Sequence, residues 1–306
     1  MSLNQNPPTD VSLVNPTVGL LNDQWVPTDQ LVVGVNDLGF RQGVTAVERL
    51  RTYGGRVFES PQHLLRWQRT VDELGISGLP SAERIAVLVD ELLQRNEQFV
   101  QLQRDVGITI VATPGSAGTS QSTWMVHLKT IDHAAVERRC RDGQSVVITN
   151  VVQPPAESWS RQIKVRSRIH YYRADQIAQR QSAGAMGLLV DTDGSVTESS
   201  VANIAIVQSG RIVSPPPDQI LHGVTQSVIE RLAATAGLSW RKEVISANQV
   251  RDADEVLLMG TDGGIWFANS VHSWDQAATA GRGLRAAPVY QRLRGDFDRH
   301  VISTAM

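Results

Sequence analysis

A lysine among arginines is the first residue in this chain whose chemistry stands out. In the segment QIKVRSRIHYYRAD, Lys164 is one of only three lysines in a chain with 29 basic residues. A buried lysine amine loses its proton near neutral pH and attacks carbonyl carbons to form Schiff bases, whereas a guanidinium stays charged. Lys164 therefore indicates covalent carbonyl chemistry, and a leftover surface cation is the simpler alternative.

Three features downstream of Lys164 carry groups that such chemistry needs. Glu198 follows a DTDG turn, and Asn203 begins the next strand-like run. Gly223–Val224–Thr225 directly precedes a run with helical spacing, where free backbone N–H groups and a hydroxyl can bind phosphate. Thr261 lies in a second glycine-rich turn, MGTDGG. Taken singly, these features are more commonly explained by a solvated acid at a strand end and by an ordinary helix N-cap at Thr225.

In this order and spacing, the segments resemble the fold type IV pyridoxal-phosphate enzymes. These are the branched-chain and D-amino-acid aminotransferases and 4-amino-4-deoxychorismate lyase. IKVRSRIHYYRADQIA resembles the segment with the Schiff-base lysine, DTDGSVTESSVANI the glutamate signature, ILHGVTQSVI the phosphate cup, and FESPQHLLRWQRT the early arginine helix. The resemblance extends from about Leu20 to about Leu293.

The resemblance implies pyridoxal phosphate as cofactor and gives each residue a role. Lys164 would be catalytic and would hold the cofactor as a Schiff base, while Glu198 would face the ring nitrogen. The other cofactor-binding residues would be Arg66, Asn203, Val224, Thr225 and Thr261. No metal-ligand spacing is present in the sequence, and we expect no metal.

The segments that would bind substrate follow the family less closely. In RQGVTAVERLR the expected glutamate, Glu48, remains, but Val47 replaces an aromatic residue. Gly107 lies where branched-chain relatives have a carboxylate-binding arginine, and Ile169 replaces a tyrosine five residues after the lysine. The substrate residues are expected to be Glu48, Arg51 and Arg168, although Arg51 is equally well a surface charge. Candidates for the lost tyrosine contact are Arg51, Arg168, His170 and Tyr172.

The resemblance also implies an α/β (α+β) fold of two domains, D-amino-acid aminotransferase-like fold type IV, with the cofactor between the domains. Residues 1–16 are polar and predict a flexible N-terminal tail. Residues 17–130 would form a smaller N-terminal α/β domain, and the charged stretch 131–144 a linker. Residues 145–306 would form a larger C-terminal cofactor-binding domain around a barrel-like sheet.

Local patterns predict the elements that must position these groups. Gly54–Gly55 closes a hairpin between two short strands. Pro61 opens one helix and Ser81 caps the next, and apolar residues at helical spacing follow each of them. Further helices are predicted at about 170–182 and 226–236.

Composition excludes several classes of protein. The 306 residues are 41% apolar and 20% charged, as in water-soluble globular proteins, and the net charge of -2 favours neither nucleic acid nor a membrane as partner. The single cysteine, Cys140, excludes an internal disulfide framework. The sequence has no apolar run of membrane-spanning length and no N-terminal signal pattern, so we expect a cytoplasmic protein.

The favoured function is therefore that of a pyridoxal-phosphate-dependent aminotransferase. It would move an amino group between an amino acid, possibly branched-chain, and a 2-oxo acid. Relatives of this fold are dimers, so a homodimer is expected. One alternative is elimination of the 4-amino-4-deoxychorismate lyase type, and another is a non-catalytic binding protein on the same fold. The amino donor and its L or D handedness are left open.

Overall fold

The computed structural model describes residues 17–275 and 281–305, so the predicted tail, residues 1–16, lies outside the described residues. Two sheets organise this part of the chain, and helices pack on both around separate buried apolar clusters. The predicted mixed α/β fold with two domains is confirmed. Within these ranges, no helix combines the length and apolar character needed to cross a membrane.

The first domain consists of an antiparallel sheet and helices that pack on one of its faces. Its elements are β1 (Val18–Leu21), β2 (Gln24–Pro27), the 3-10 helix η1 (Thr28–Gln30), α1 (Leu38–Gln42), β3 (Ala46–Tyr53), β4 (Arg56–Val57), α2 (Ser60–Glu73), α3 (Ala82–Arg95), α4 (Glu97–Gln103), β5 (Gly107–Thr113) and β6 (Thr123–Lys129). In the described chain, its six strands run in the order β2-β1-β6-β5-β3-β4. Side chains of β3, β5, α2 and α3 share one buried apolar cluster.

Helix α3 shows how local sequence sets these elements. The Ser81 hydroxyl caps the helix by accepting the Arg84 N–H at 3.3 Å. Ile85, Leu88 and Leu92 are buried at spacings of three and four residues, which puts them on the face towards the sheet. The predicted cap and apolar stripe are both confirmed.

The second domain is built on a mixed sheet that closes on itself. Its elements are α5 (His133–Asp142), β7 (Gln144–Val152), α6 (Ile169–Gln181), β8 (Met186–Val190), β9 (Ser195–Ser199), β10 (Asn203–Gln208), β11 (Arg211–Ser214), α7 (Val224–Thr235), β12 (Trp240–Lys242), β13 (Ile245–Ser246), α8 (Ala247–Asp252), β14 (Glu255–Gly260), β15 (Gly264–Ser273), β16 (Arg282–Gly283) and α9 (Pro288–Ala305). The described strands follow the order β12-β11-β10-β14-β15-β7-β8-β9-β13, with β16 on β15. A further pairing of Asn203 with Glu198 joins β10 to β9 and closes a ring of strands. The closure puts two predicted cofactor residues side by side.

Other predicted boundaries hold within about two residues. The hairpin between β3 and β4 turns through Gly54 and Gly55, whose φ angles of 57° and 79° lie in the left-handed region that glycine tolerates. Pro61 lies in the first turn of α2. The helices expected at about 170–182 and 226–236 are α6 and α7.

The stretch predicted as a linker, residues 131–144, is largely helical. The Asp132 carboxylate caps α5 by accepting the Ala135 N–H at 2.8 Å, and Gly143 ends it with a φ of 75°. The helix lies against β15, where the Cys140 thiol contacts the Ile265 carbonyl at 3.7 Å. The position of the domain boundary itself stays a prediction.

Candidate active site

Lys164 lies on an extended segment between β7 and α6 of the second domain, and this segment contacts the first domain. Its carbonyl accepts the Val47 N–H at 2.9 Å, and its own N–H donates to the Thr70 hydroxyl at 3.1 Å. Two residues further on, the Arg166 N–H donates to the Thr45 carbonyl at 3.0 Å. The segment therefore pairs with the start of β3, which fixes the lysine backbone against the first domain.

The side chain of Lys164 lines a pocket to which both domains contribute. Arg66 comes from the first domain, and Glu198, Thr225 and Thr261 come from the second. Burial and the Arg66 guanidinium lower the pKa of the Lys164 amine to about 8, although nearby carboxylates act in the opposite direction. A substantial fraction of this amine is therefore neutral and nucleophilic at mildly alkaline pH.

Glu198, another residue of the pocket wall, is held by four hydrogen-bond donors. Its Oε1 accepts from the Tyr171 hydroxyl at 2.6 Å and from Gln153 Nε2 at 3.1 Å. Its Oε2 accepts from Asn203 Nδ2 at 3.2 Å and from the Leu221 N–H at 3.1 Å. These bonds orient a buried carboxylate at the point where β9 and β10 close the barrel.

The charge of Glu198 is a balance between burial and these bonds. Burial raises its pKa to about 6, even though the Tyr171 hydroxyl, the Leu221 N–H and the Lys164 amine favour the charged form. The carboxylate is therefore mostly ionised at neutral pH. It can stabilise a positive charge that is placed beside it in the pocket.

Arg66 reaches the pocket from α2 and is fixed by other buried side chains. Its Nε and Nη2 donate to the two Glu48 oxygens at 2.9 and 2.6 Å, and its Nη1 donates to the His222 carbonyl at 3.0 Å. His63 Nδ1 lies 2.9 Å from the same carboxylate. Burial opposes the charge on Glu48, but Arg66 and His63 outweigh it and hold the pKa of Glu48 well below its usual range.

We expect Glu48→Gln to lower the free energy of unfolding by about 3–5 kcal/mol, because it leaves a buried guanidinium without its charged partner. Urea denaturation measures this loss. The control is Glu91→Gln, which breaks an exposed pair with Arg95 on α3 and should cost only about 0.3–0.5 kcal/mol. Equal losses of unfolding free energy in the two variants would show that the buried Glu48–Arg66 pair stabilises the fold no more than an exposed pair does.

The start of α7 lies beside the Arg66 guanidinium. Gly223 is its N-cap residue and no side chain caps it, so the ordinary alternative of Thr225 as N-cap is wrong. A Cβ on Gly223 would lie 1.9 Å from Asn203 Oδ1, so only glycine lets the helix start this close to β10. Val224 and Thr225 in the first turn line the pocket, so the N-terminal end of α7, which carries a partial positive charge, borders it.

The residues present fit pyridoxal phosphate. Within the described residues, the hydroxyls of Thr225 and Thr261 make no hydrogen bond, although both line the pocket beside Arg66. Two free hydroxyls, a guanidinium and a helix start suit a phosphate group. The ionised Glu198 suits a protonated ring nitrogen. Both Arg66 and Glu198 influence the pKa of the Lys164 amine, so this amine lies within reach of both groups. Every residue predicted to bind the cofactor lines this one pocket.

The three residues predicted to contact substrate are placed differently from one another. Glu48 is fully buried behind Arg66 and does not line the pocket. Arg51 is also buried, and its guanidinium donates to the carbonyls of Thr52 at 3.1 Å and Asp262 at 2.5 Å. Arg168 does line the pocket, where it donates to the Ser200 carbonyl. The geometry thus favours Arg168 and gives the substrate roles of the other two no support.

Tyr171 is a site residue that sequence reasoning missed. The residues proposed for the lost tyrosine contact were Arg51, Arg168, His170 and Tyr172, of which Tyr172 is 65% exposed. Ile169, at the position of the family tyrosine, is 76% exposed. A usable signal was the helix phase, because Tyr171 precedes the buried alanines of α6, Ala174 and Ala178, by three and seven residues. Sequence reasoning also missed Gln153, Leu221 and His63. The closure of the barrel brings Gln153 and Leu221 to Glu198, and the packing of α2 brings His63 to Glu48.

Comparison with known proteins matches most of this chain to one family. The model for the family "Amino-transferase class IV" matches residues 45–271. Branched-chain-amino-acid aminotransferase-like protein 2 of Arabidopsis thaliana is 25% identical over 252 residues, which are 79% of this chain, and the match spans 44% of that protein. D-alanine aminotransferase of Bacillus licheniformis is 24% identical over 248 residues, 79% of this chain and 84% of that protein.

Solved structures share the fold over nearly the whole chain. The branched-chain aminotransferase of Thermoproteus uzoniensis superposes with a TM-score of 0.82 at 20% identity, covering 94% of this chain and 95% of that one. An aminotransferase from Brucella abortus, whose structure contains the cofactor PLP, gives a TM-score of 0.80 at 20% identity over 93% and 99% of the two chains. At such identities the likeness shows the fold.

Proposed function

Because the chain belongs to the class IV aminotransferase family, we propose that it moves an amino group from an amino acid to a 2-oxo acid. Enzymes of this family use pyridoxal phosphate, and the proposed site for it is the pocket between the two domains. The observation that carries the proposal is the pairing of a nucleophilic lysine with a buried carboxylate in that pocket. Lys164 and Glu198 line this pocket together with the hydroxyl groups of Thr225 and Thr261, which are free to bind a phosphate.

Each residue of the pocket has a proposed task. When bound, pyridoxal phosphate supplies an aldehyde that takes up amino groups and a ring that accepts the electrons released at the amino carbon. Lys164 provides the amine that attacks a carbonyl carbon and then carries a proton to and from the amino carbon. Glu198 keeps the ring nitrogen protonated. The phosphate is proposed to be held by Arg66, Val224, Thr225 and Thr261, while Asn203 orients Glu198.

Arg168 is the proposed contact for the substrate carboxylate. Its guanidinium borders the pocket close to Lys164, and it lies over the Tyr171 ring at 4.4 Å, which limits its motion. A planar guanidinium binds a carboxylate through paired hydrogen bonds. Proteins similar to this chain are named for branched-chain amino acids and for D-alanine, so the choice of donor and of handedness is part of the test.

We also propose a homodimer in which a second copy covers apolar side chains near the pocket. Phe40 and Ile169 are 72% and 76% exposed in the single chain. They belong to neighbouring segments, since Ser167 Oγ donates to the Gly43 carbonyl at the end of α1 at 2.7 Å. A single exposed apolar side chain is common, but exposed apolar side chains on neighbouring segments are typical of a surface that a partner covers. Sedimentation of the purified protein tests the dimer, and the expected cytoplasmic location stays a prediction.

The proposed function is tested by supplying L- and D-amino acids, branched-chain ones included, with a 2-oxo acid as acceptor. Transamination requires a new amino acid to form from the acceptor in equal amount to the donor consumed. Release of pyruvate from 4-amino-4-deoxychorismate without any acceptor would instead identify the elimination alternative. Neither reaction, in protein that holds the cofactor, would leave the non-catalytic alternative.

The lowered pKa of Lys164 predicts how cofactor capture depends on pH. Only the neutral amine attacks, so below about pH 8 the capture rate should rise about tenfold per pH unit, and it should level off above about pH 8. An ordinary lysine would keep rising to about pH 10. Stopped-flow absorbance measures the rate after cofactor-free protein and pyridoxal phosphate are mixed. A small-molecule amine under the same conditions corrects for ionisation of the cofactor itself.

A further inference from the structure

Tyr171 lies in the proposed site, and the proposed mechanism gives it no task. Its hydroxyl donates to Glu198 Oε1 at 2.6 Å, the shortest of the hydrogen bonds to that carboxylate. Among the described residues the hydroxyl has no other partner. We infer that Tyr171 is a positioning residue whose hydroxyl keeps the Glu198 carboxylate ionised and oriented before the cofactor binds. The inference rests on the proposed role of Glu198 as the partner of the ring nitrogen.

The four donors around Glu198 differ in how firmly the fold holds them. The Leu221 donor is a backbone N–H, and the Asn203 amide also donates to the Leu221 carbonyl at 2.8 Å. A carboxylate accepts about four hydrogen bonds, so a ring N–H can enter only if one present donor leaves. The Tyr171 hydroxyl turns about a single bond without moving the backbone, so it is a donor that can be replaced, as is the Gln153 side-chain amide, which has no second hydrogen bond among the described residues.

The ring of Tyr171 is held independently of its hydroxyl. The Arg168 guanidinium lies over it at 4.4 Å, and the His170 ring lies beside it with centroids 4.2 Å apart. Burial and the Glu198 charge raise the pKa of the Tyr171 hydroxyl well above its usual value, so it stays protonated and remains a donor. A phenylalanine at this position would keep the ring contacts and remove the donor alone.

Other charged groups also face the Glu198–Tyr171 pair. Lys164 and Arg168 favour the ionised form of Glu198, and Arg161 adds its positive charge from the loop before the lysine. His170 is neutral near pH 7, because burial and Arg168 lower its pKa to about 4. All these groups remain when the hydroxyl is removed. The change in Glu198 ionisation therefore reports one hydrogen bond.

The test follows Glu198 directly in the cofactor-free full-length protein. Infrared difference spectra record the protonated carboxyl band as a function of pH, and loss of this band in Glu198→Gln assigns it. In the wild type the midpoint should lie near pH 6, where burial and the existing bonds place the pKa of Glu198. In Tyr171→Phe we expect the midpoint to rise by about one to two pH units, as for loss of a hydrogen bond to a charged acceptor.

Two further proteins sharpen this test. Tyr172→Phe removes the next hydroxyl along α6, which is exposed, and should leave the midpoint unchanged. A fluorinated tyrosine at position 171 is a stronger donor and should lower the midpoint, which loosened packing would not do. Equal midpoints in the wild type, Tyr171→Phe and the fluorinated protein would overturn the inference.

The pH dependence of cofactor affinity provides an independent test of the role of Tyr171. Binding of a protonated ring nitrogen needs an ionised Glu198, so affinity falls about tenfold per pH unit below the carboxyl midpoint. For Tyr171→Phe this fall should begin at a higher pH than for the wild type, and a coincident pH dependence would contradict the inference. If the wild type binds no cofactor at all, the proposed function fails, while the infrared titration still decides the role of Tyr171.

Discussion

Replacement of Lys164 by alanine is expected to lower kcat for transamination by about 10⁴-fold or more. The variant loses both the nucleophile that attacks the carbonyl carbon and the base that moves the proton. Lys164→Arg should be equally inactive, because a guanidinium keeps the positive charge but does not lose its proton. Steady-state rates at saturating cofactor and donor measure the effect. Loss of activity in both variants would explain why position 164 is a lysine in a segment rich in arginine.

The remaining lysines provide matched controls. Lys129 is exposed at the end of β6, and Lys242 pairs with Glu230 at 2.8 Å on the surface. Alanine at either position should change kcat by less than about twofold, since exposed charges of this kind contribute little. Lys164→Ala should still fold, because it removes a buried amine whose charge is already disfavoured. Retention of more than about a tenth of wild-type activity in folded Lys164→Ala would refute its catalytic role.

Glu198→Gln is expected to lower kcat by about 10²- to 10³-fold, as for loss of one preorganised electrostatic partner in a buried site. The neutral amide cannot hold the ring nitrogen in its protonated form, so the electron-accepting character of the ring is weakened. Rates are compared at saturating cofactor. Weaker cofactor binding is then measured separately, by equilibrium dialysis.

The glutamine also changes local hydrogen bonding, and the control takes account of this. Its amide N–H₂ opposes donors at Asn203 or Leu221, which costs about 1–3 kcal/mol of stability. Thermal unfolding identifies this cost, and kcat is measured well below the unfolding range. Glu243→Gln, at an exposed position before β13, should leave both stability and kcat unchanged. Near-normal kcat in folded, cofactor-loaded Glu198→Gln would show that the carboxylate is not the ring partner.

Much of the fold followed from local signals in the sequence. Ser81 as a cap, the Gly54–Gly55 turn and the apolar stripe of α3 depend on neighbouring residues only, and each was found where it was predicted. The resemblance brought together residues that are distant in the chain, from Arg66 to Thr261. These line one pocket, although their roles stay proposals.

What the sequence left open depends on contacts between distant segments. The place of Glu48 behind Arg66 follows from the packing of α2 on β3, and its motif alone suggested a substrate residue. The phase of α6 decides that Tyr171 faces the barrel while Ile169 faces outward. Tyr171 and Tyr172 are consecutive, so a shift in phase of one residue exchanges the tyrosine that meets Glu198 for one that does not. The substrate contacts are hardest to predict, because they depend on both domains together.

The most direct test of the account is chemical trapping of the cofactor on the protein. Borohydride reduction of the loaded enzyme, followed by peptide mass mapping, locates the attached cofactor among the three lysines. We predict the added mass on Lys164 alone. We also predict that this mass disappears when an accepted amino donor is supplied first, without an oxo acid. Attachment elsewhere, or attachment to Lys164 that no amino donor reduces, would contradict an aminotransferase built on this lysine.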